Sequence, residues 1–299
     1  MKKISVIVAF WAFSFALYGQ VTLSFKPEKG TYLFEMQMDQ SITQKMMGMD
    51  MTMEQKMNLN YEMAVKNVSD KEIQIRFTFS EIGYLLNSMY LKMEYDSRKP
   101  KTGEVSEMDG IMAKLFNVLV GKSLEMKMRP DGSVISLSGM DAIAQEMVKA
   151  VSTENGQLAG QVGKALSQQF NDKMWKNTFE QSFMTFPSRP VKKNDSWDAA
   201  TQLNISGVVI NSNNKYTLKD VKGKTGYIDV VSVIEMSPTS ETKGKMSGSM
   251  SGSIIMDTAT GISETSEMTQ DISGTMSVNN MEIPMTIKSK IKTSTKKIK

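Results

Sequence analysis

The amino-acid sequence predicts an α+β fold in which long antiparallel strands form one or more curved sheets, with a central helical insert packed on one face. Two observations carry this prediction. Apolar and polar side chains alternate through much of the chain, which is the period of a half-buried strand. In the middle of the chain the apolar residues recur at a helical spacing instead. We therefore expect two β-rich portions on either side of a helical segment.

The first β portion is predicted over residues 20–137, as part of a single domain that spans residues 20–299. A helix near residues 107–119 interrupts it, and a tight hairpin turn over Pro130-Asp131-Gly132 lies close to its end. Its first strands are marked by alternating apolar residues in four runs: Thr31–Gln40, Tyr61–Val68, Glu72–Phe79 and Met89–Tyr95.

The helical insert is predicted over residues 138–186. Trp175, Phe179 and Phe183 recur at every fourth position in its last part, so on a helix their rings form one stripe. We expect this stripe to pack against the sheet. Pro187 follows it and ends the helical segment, because proline cannot continue a helix.

The second β portion is predicted over residues 187–299, with a final strand that carries lysines on one face. The two β portions look related, because Tyr61 precedes Ile73 by the same distance as Tyr216 precedes Ile228, with a polar turn between the two members of each pair. This correspondence suggests that the two halves are similar curved sheets on either side of the insert.

Residues 1–19 are predicted to be a cleavable signal peptide. Lys2 and Lys3 precede an apolar run from Ile4 to Ala16, and Gly19 offers a small residue for cleavage. The run is shorter than the roughly 20 residues that a membrane-spanning helix needs, and no later segment is apolar enough to span. We expect the protein to be exported to the periplasm or secreted, and not lipid-anchored through an N-terminal cysteine.

Composition excludes several kinds of chemistry. The chain has no cysteine and no histidine, which rules out disulfides, Ser-His-Asp and Cys-His nucleophiles, and histidine-ligated metals. Its 36 basic and 32 acidic residues give no case for nucleic-acid binding. Asp96, Asp195 and Asp257 each lie in a turn signature, where aspartate commonly bonds the backbone. We therefore expect no enzymatic activity, no cofactor and no metal site.

Methionine is enriched, at 28 of 299 residues, and three interpretations compete. The alternating Met49, Met51 and Met53 fit a sheet core that uses methionine as a flexible filler. They also fit a pliable apolar cavity for a lipid or another apolar ligand, which the stripe of Trp175, Phe179 and Phe183 would help to line. A thioether site for Cu(I) is the third interpretation. These six side chains are the candidate ligand-binding residues.

Several short motifs along nearly the whole mature chain support a resemblance: Gln44-Lys-Met-Met-Gly-Met-Asp-Met51, Glu94-Tyr-Asp-Ser97, Gly121-Lys-Ser123, Pro130-Asp-Gly-Ser-Val134, Pro190-Val-Lys-Lys-Asn-Asp-Ser-Trp197 and Ile255-Met-Asp-Thr-Ala-Thr-Gly261. In these motifs and in the order of its elements, the chain resembles an uncharacterised family of secreted proteins and lipoproteins of Bacteroidota. The resemblance implies a methionine-rich β protein of unknown function, and it brings no activity or site residues.

The function that the sequence favours is non-enzymatic binding of an apolar ligand, such as a lipid, or of an apolar partner, between the sheet and the helices. The alternative from another class is a structural or interaction protein of the cell envelope without a ligand cavity. An internal apolar cavity beneath the helical insert would distinguish the two.

Overall fold

The computed structural model of the chain describes residues 20–46, 48–99, 107–152, 170–183, 186–205, 208–238, 243–278 and 281–299. The predicted signal peptide, residues 1–19, lies outside the described residues, and so does the middle of the predicted insert, residues 153–169. Among the described residues, no helix has both the length and the apolar character needed to cross a membrane.

The described strands form a single antiparallel sheet. Its strand order is β6-β5-β3-β2-β1-β12-β11-β10-β9-β8-β7, and β4 pairs with β3 outside this path. In chain order, β1 to β12 are Gly30–Met46, Met49–Val68, Ile73–Ser88, Lys92–Asp96, Ser123–Met128, Val134–Ser138, Ser196–Ile205, Val208–Lys222, Thr225–Pro238, Lys243–Asp257, Ser263–Val278 and Met281–Lys297.

The first and last strands in chain order, β1 and β12, are neighbours in the sheet. β1 pairs with β12 from Tyr32 opposite Lys297 to Gln44 opposite Met285. This pairing joins the two β portions edge to edge, so the halves that the sequence suggests are parts of one continuous curved sheet. The predicted α+β class with long antiparallel strands and a central helical insert is confirmed.

The strand bounds differ from the sequence prediction mainly around Met89. The predicted strand Met89–Tyr95 begins only at Lys92, because Ser88 turns the chain. The Ser88 hydroxyl accepts the backbone N–H of Leu91 at 3.0 Å, and the Leu91 carbonyl accepts the backbone N–H of Ser88 at 2.8 Å. Met89 is consequently a solvent-exposed turn residue, with 82% of its surface accessible.

Three described helices pack on the inner, apolar face of the sheet: α1 (Glu107–Leu119), α2 (Met140–Val151) and α3 (Asp172–Phe183). The bounds of α1 match the predicted helix, and α2 and α3 lie within the predicted insert. Helices α2 and α3 cap each other. The Asp172 carboxylate accepts the backbone N–H of Met140 at 2.7 Å, and the Asp141 carboxylate accepts that of Asp172 at 3.2 Å. Acceptors at helix N-termini satisfy free N–H groups and complement the helix dipole.

The main core lies between α1, α2 and the strands β3, β5 and β6. Ile73 and Ile75 of β3 face Met128 and Met126 of β5 across the sheet, and Met140 of α2 packs on them; none of the five exposes more than 1% of its surface. Burial of large apolar side chains at about 1.5–3 kcal/mol each makes this region the anchor of the helices on the sheet.

The sheet is curled, so that its two distant edges approach the same helix. Helix α3 contacts both β6 and β7, the strands at opposite ends of the sheet order. Helix α3 therefore lies across the gap between these two edges. Residues 20–29 cover one end of the resulting enclosure, where Val21 bridges to Val191 and the Lys26 N–H donates to the Thr260 carbonyl at 2.8 Å.

The backbones of β10 and β11 approach closely at two glycines of β10. A Cβ atom on Gly248 would collide with the backbone of Asp271 and Ile272, and one on Gly252 would collide with Glu267 and Met268. Glycine is thus required where the two backbones approach closely, which is a known device for curving a sheet. The Ser-Gly-rich sequence of β10 specifies curvature.

One row of the inner face is polar. The register places six residues of neighbouring strands at the same level: Gln40, Ser289, Gln270, Met250, Ser232 and Asn214. Among the described residues, the buried polar side chains are Ser289, Ser232 and Asn214, and all three belong to this row. The Ser232 hydroxyl donates to Asn214 at 2.6 Å, and the Gln40 amide donates to Ser289 at 3.0 Å.

Candidate ligand-binding cavity

A cavity of about 520 Å³ lies between helix α3 and the inner face of the curled sheet. No charged side chain is among the described residues that line it. Its walls are aromatic, aliphatic, thioether and hydroxyl groups, from the following residues: Phe25, Phe34, Tyr61, Met63, Phe77, Phe179, Phe183, Phe186, Tyr216, Ile254, Met256, Gly261, Ile262, Ser263, Ser266, Met268, Thr293 and Thr295.

One wall is a chain of four aromatic rings. Phe34 stacks on Tyr61 with ring centroids 4.4 Å apart, Tyr61 meets Phe77 edge-on at 5.5 Å, and Phe77 stacks on Phe179 of α3 at 4.8 Å. The first three rings come from β1, β2 and β3, where strand alternation directs them to one face. Offset and edge-on ring pairs stabilise beyond their area burial, so this wall fixes α3 on the sheet.

The opposite wall comes from the second β portion. Tyr216 of β8 stacks on Trp197 of β7 with centroids 5.5 Å apart, and Met256 and Met268 of β10 and β11 complete the apolar surface. Tyr61 and Tyr216 lie on strands that are six positions apart in the sheet order, β2 and β8. They line the same cavity because the sheet is curled.

Between the two walls the inner face of β11 and β12 contributes hydroxyl groups. Ser266 and Thr293 are cross-strand neighbours whose side-chain oxygens are 2.7 Å apart. Thr295 lies two residues further along β12, on the same face of the strand. These small residues leave space that larger residues would fill, and their hydroxyls hydrogen-bond without carrying charge.

The N-terminal segment covers one end of the cavity. The rings of Phe25 and Phe183 lie 4.7 Å apart, which joins this segment to the end of helix α3. Gly261 adopts a φ of 69°, and a Cβ atom there would collide with the Ser24 carbonyl. The turn at Gly261 therefore needs glycine to let residues 20–29 lie against the sheet.

Burial raises the pKa of both cavity tyrosines, Tyr61 and Tyr216, above the ordinary value of a phenol. Neither hydroxyl bonds a described residue, and neither oxygen is fully buried, so both keep accessible surface. Two other tyrosines with raised pKa values do have one: Tyr32 donates to the Glu28 carbonyl at 3.0 Å, and Tyr95 donates to the Asn117 amide oxygen at 2.8 Å. Tyr84, outside the cavity, also has a raised pKa and no described partner, so what sets Tyr61 and Tyr216 apart is that they line the cavity.

Two of the six candidate residues from the sequence line the cavity, namely Phe179 and Phe183. Trp175 lies behind them. Its ring packs edge-on against Phe79 at 6.2 Å and near Phe179 at 6.0 Å, so it supports the wall and does not form it. The aromatic stripe packs against the sheet, as its helical spacing predicts.

The other three candidates, Met49, Met51 and Met53, lie elsewhere. Met49 is at the tip of the β1–β2 hairpin with 62% of its surface accessible, and Met51 and Met53 follow it, half-buried. Met53 is ten residues before Met63 on β2, about 33 Å along the strand. The structure therefore does not bring these methionines together with Phe179 and Phe183.

The cavity contains residues that sequence reasoning did not select. Its methionines are Met63, Met256 and Met268, which lie on three different strands. Tyr61 and Tyr216 were visible in the sequence as corresponding members of the two related β portions, and that signal could have found them. The interpretation of a Cu(I) thioether site stays a prediction.

The three turn aspartates have the expected backbone roles. Asp96 accepts the Arg98 N–H at 2.9 Å, Asp195 accepts that of Lys192 at 3.2 Å, and Asp257 accepts that of Ala259 at 2.7 Å. Hydrogen bonds from Arg98 hold the pKa of Asp96 below its usual value, and Arg189 does the same for Asp195.

Comparisons with known proteins give one family and a few distant structures. A family model described as a family of unknown function (DUF6263) matches residues 70–263. No curated protein matches. A lipovitellin structure, titled for lipid-protein interactions, is 11% identical with a TM-score of 0.48, and the alignment covers 91% of this chain and 26% of lipovitellin.

Two other solved structures have still lower TM-scores. An outer membrane channel from Pseudomonas putida F1 is 6% identical with a TM-score of 0.24 over 91% of this chain and 97% of its own. OpdQ from Pseudomonas aeruginosa is 7% identical with a TM-score of 0.20 over 92% and 99%. At such scores these likenesses carry no argument about function.

Proposed function

The chain belongs to DUF6263, a family of unknown function, and we propose that it binds an apolar small molecule in the cavity between its curled sheet and helix α3. The observation that carries the proposal is the cavity itself, about 520 Å³ with an uncharged and mainly apolar lining. Small-molecule sites in proteins commonly have about 300–1,000 Å³ and the same kind of lining.

The chemistry of the walls supports an apolar occupant. An apolar ligand that enters the cavity leaves water and gains van der Waals contacts with the walls, so its binding is favourable. The thioethers of Met63, Met256 and Met268 can adapt their rotamers to ligands of different shape. These features favour binding over the alternative of a structural envelope protein without a ligand cavity.

The proposal includes a non-enzymatic role and an exported location. The sequence has neither histidine nor cysteine, and the turn carboxylates Asp96, Asp195 and Asp257 bond their own loops. The location is proposed from the signal-like residues 1–19. Lipids and related apolar molecules need carriers in aqueous compartments outside the inner membrane, which suits such a location.

The test is binding of the hydrocarbon dye diphenylhexatriene, which fluoresces in apolar surroundings, to the purified full chain and to two tryptophan variants. Ser266→Trp places a large ring inside the cavity. Thr265→Trp places the same ring one position earlier, on the exposed outer face of β11. We expect Ser266→Trp to weaken dye binding at least about tenfold, because the ring occupies the ligand's volume.

The control variant Thr265→Trp should bind the dye as the unaltered chain does. Equal dye affinity for the two variants would show that the cavity is not the binding site, and no saturable binding to the unaltered chain would overturn the proposal. Native mass spectrometry of the purified protein adds a direct readout, since a bound apolar molecule gives a defined mass increment.

A further inference from the structure

We infer that the hydroxyls of Tyr61 and Tyr216 are the polar contacts of the bound ligand, and that this ligand is an apolar molecule with an uncharged hydrogen-bonding group, such as an alcohol, ester or amide. The inference rests on the proposed function and narrows it to a class of ligand. It stands on the position of the two phenols, on their missing partners and on the absence of charge around them.

The position of the two phenols allows both to meet one molecule. Tyr61 belongs to the aromatic wall on β2, and Tyr216 belongs to the opposite wall on β8. Each ring is held by a stacked neighbour, Phe34 at 4.4 Å for Tyr61 and Trp197 at 5.5 Å for Tyr216. Rings held in this way present their hydroxyls from fixed places, which lowers the entropy cost of binding.

The missing partners point to a ligand group. A phenol removed from water usually finds a hydrogen-bond partner. The hydroxyls of Tyr61 and Tyr216 bond no described residue, unlike those of Tyr32 and Tyr95, and neither oxygen is fully buried, so both remain accessible to a bound molecule. Tyr84 also lacks a described partner, but it does not line the cavity. An oxygen or nitrogen atom of a ligand in the cavity would supply the hydrogen-bond partner that the described residues do not.

The absence of charge selects a neutral ligand. No described lining residue is charged, and the nearby cation Lys297 is engaged with Glu28 at 2.7 Å. An ionised group buried there would lose its hydration without gaining a counter-ion, which is strongly unfavourable. A neutral polar group loses less hydration free energy on burial, and it can form a hydrogen bond with a phenol, which both donates and accepts.

The sequence correspondence of the two tyrosines gives an independent reason to treat them together. Tyr61 and Ile73 correspond in spacing to Tyr216 and Ile228. In the structure both pairs lie in adjacent antiparallel strands, β2 with β3 and β8 with β9, and both isoleucines are buried. Ile73 lies opposite Val68 and Ile228 opposite Leu218, so the two hairpins differ in register, yet each brings one phenol to the same cavity.

The experiment displaces diphenylhexatriene from the full chain with 1-dodecanol or with dodecanoate, which share a chain and differ in charge. We expect the alcohol to compete at least about tenfold better than the carboxylate. Tyr61→Phe and Tyr216→Phe should each weaken dodecanol by about fivefold more than they weaken the hydrocarbon dye, which is the effect of one neutral hydrogen bond.

The matched control is Tyr84→Phe, which removes a phenol from the same face of the sheet, outside the cavity and beside Phe116 at 5.8 Å. It should leave both affinities unchanged. Equal competition by alcohol and carboxylate, or dodecanol binding unaffected by both tyrosine variants, would overturn the inference while the proposed function stands. Failure of the dye to bind the unaltered chain would instead overturn the proposed function.

Discussion

Replacing Phe77 and Phe179 by leucine, singly and together, tests whether helix α3 closes the cavity as described. The two rings form one of the contacts between the sheet and the helix, with centroids 4.8 Å apart. Leucine keeps much of the apolar volume and removes the ring stacking, so each variant should still fold. The quantity of interest is the coupling free energy between the two substitutions, obtained from a double-mutant cycle.

The magnitude follows from the geometry. Phe77 is buried with 2% of its surface accessible, and full truncation of a buried phenylalanine to alanine costs about 3–5 kcal/mol. The milder change to leucine should cost about 1–2 kcal/mol at Phe77 and less at the half-buried Phe179. A ring pair contributes about 0.5–1.5 kcal/mol beyond area burial, so the double variant should lose less than the sum of the single variants by that amount.

Urea unfolding followed by tryptophan fluorescence gives the measurement, because Trp175 lies 6.0 Å from Phe179. At a denaturant slope of about 3 kcal/mol/M, a coupling of about 1 kcal/mol displaces the midpoint by about 0.3 M. The control cycle pairs Phe179 with Phe116, which packs on Tyr84 and Tyr95 instead, and should be additive. Additivity within about 0.3 kcal/mol for Phe77 and Phe179 would refute the stacking of these two rings.

Two further predictions concern the sheet. Gly248→Ala should lower the free energy of unfolding by about 1–3 kcal/mol in urea, because its Cβ meets backbone, whereas Gly83→Ala, which meets only the Asn58 side chain, should cost about 1 kcal/mol or less. Stability should also fall as the pH rises above about 10, since the unfolded chain ionises its tyrosines there while the folded chain keeps Tyr61 and Tyr216 neutral. Tyr61→Phe should flatten this alkaline decline, and an unchanged slope would contradict the burial of that phenol.

Local periodicity was enough to predict much of the fold. Alternation marked the strands, and the ring spacing of Trp175, Phe179 and Phe183 identified a helix that packs on the sheet. The joining of the two β portions into one sheet was not predictable in this way, because β1 pairs with β12 across nearly the whole length of the chain. A pairing between the first and last strands leaves no local signal.

The same limit applies to the site. Met49, Met51 and Met53 were selected because they are dense in the sequence, but density on a hairpin tip does not create a cavity. The walls come from residues far apart in the chain, such as Tyr61 and Tyr216, whose proximity depends on the curl of the sheet. In the sequence, the signal that linked the two tyrosines was their equal spacing to Ile73 and Ile228.

The polar row across the inner face has a consequence for how the chain finds its pairing. A strand that slips by two residues still presents its apolar side inward, so alternation alone does not prevent the error. Such a slip would place Ser289 opposite Met38 or Ile42. In β8 and β9 it would place Asn214 opposite Val230 or Ile234. Each polar group that loses its partner in this way costs about 1–3 kcal/mol. The polar row therefore favours one register for long strands whose alternation alone permits several.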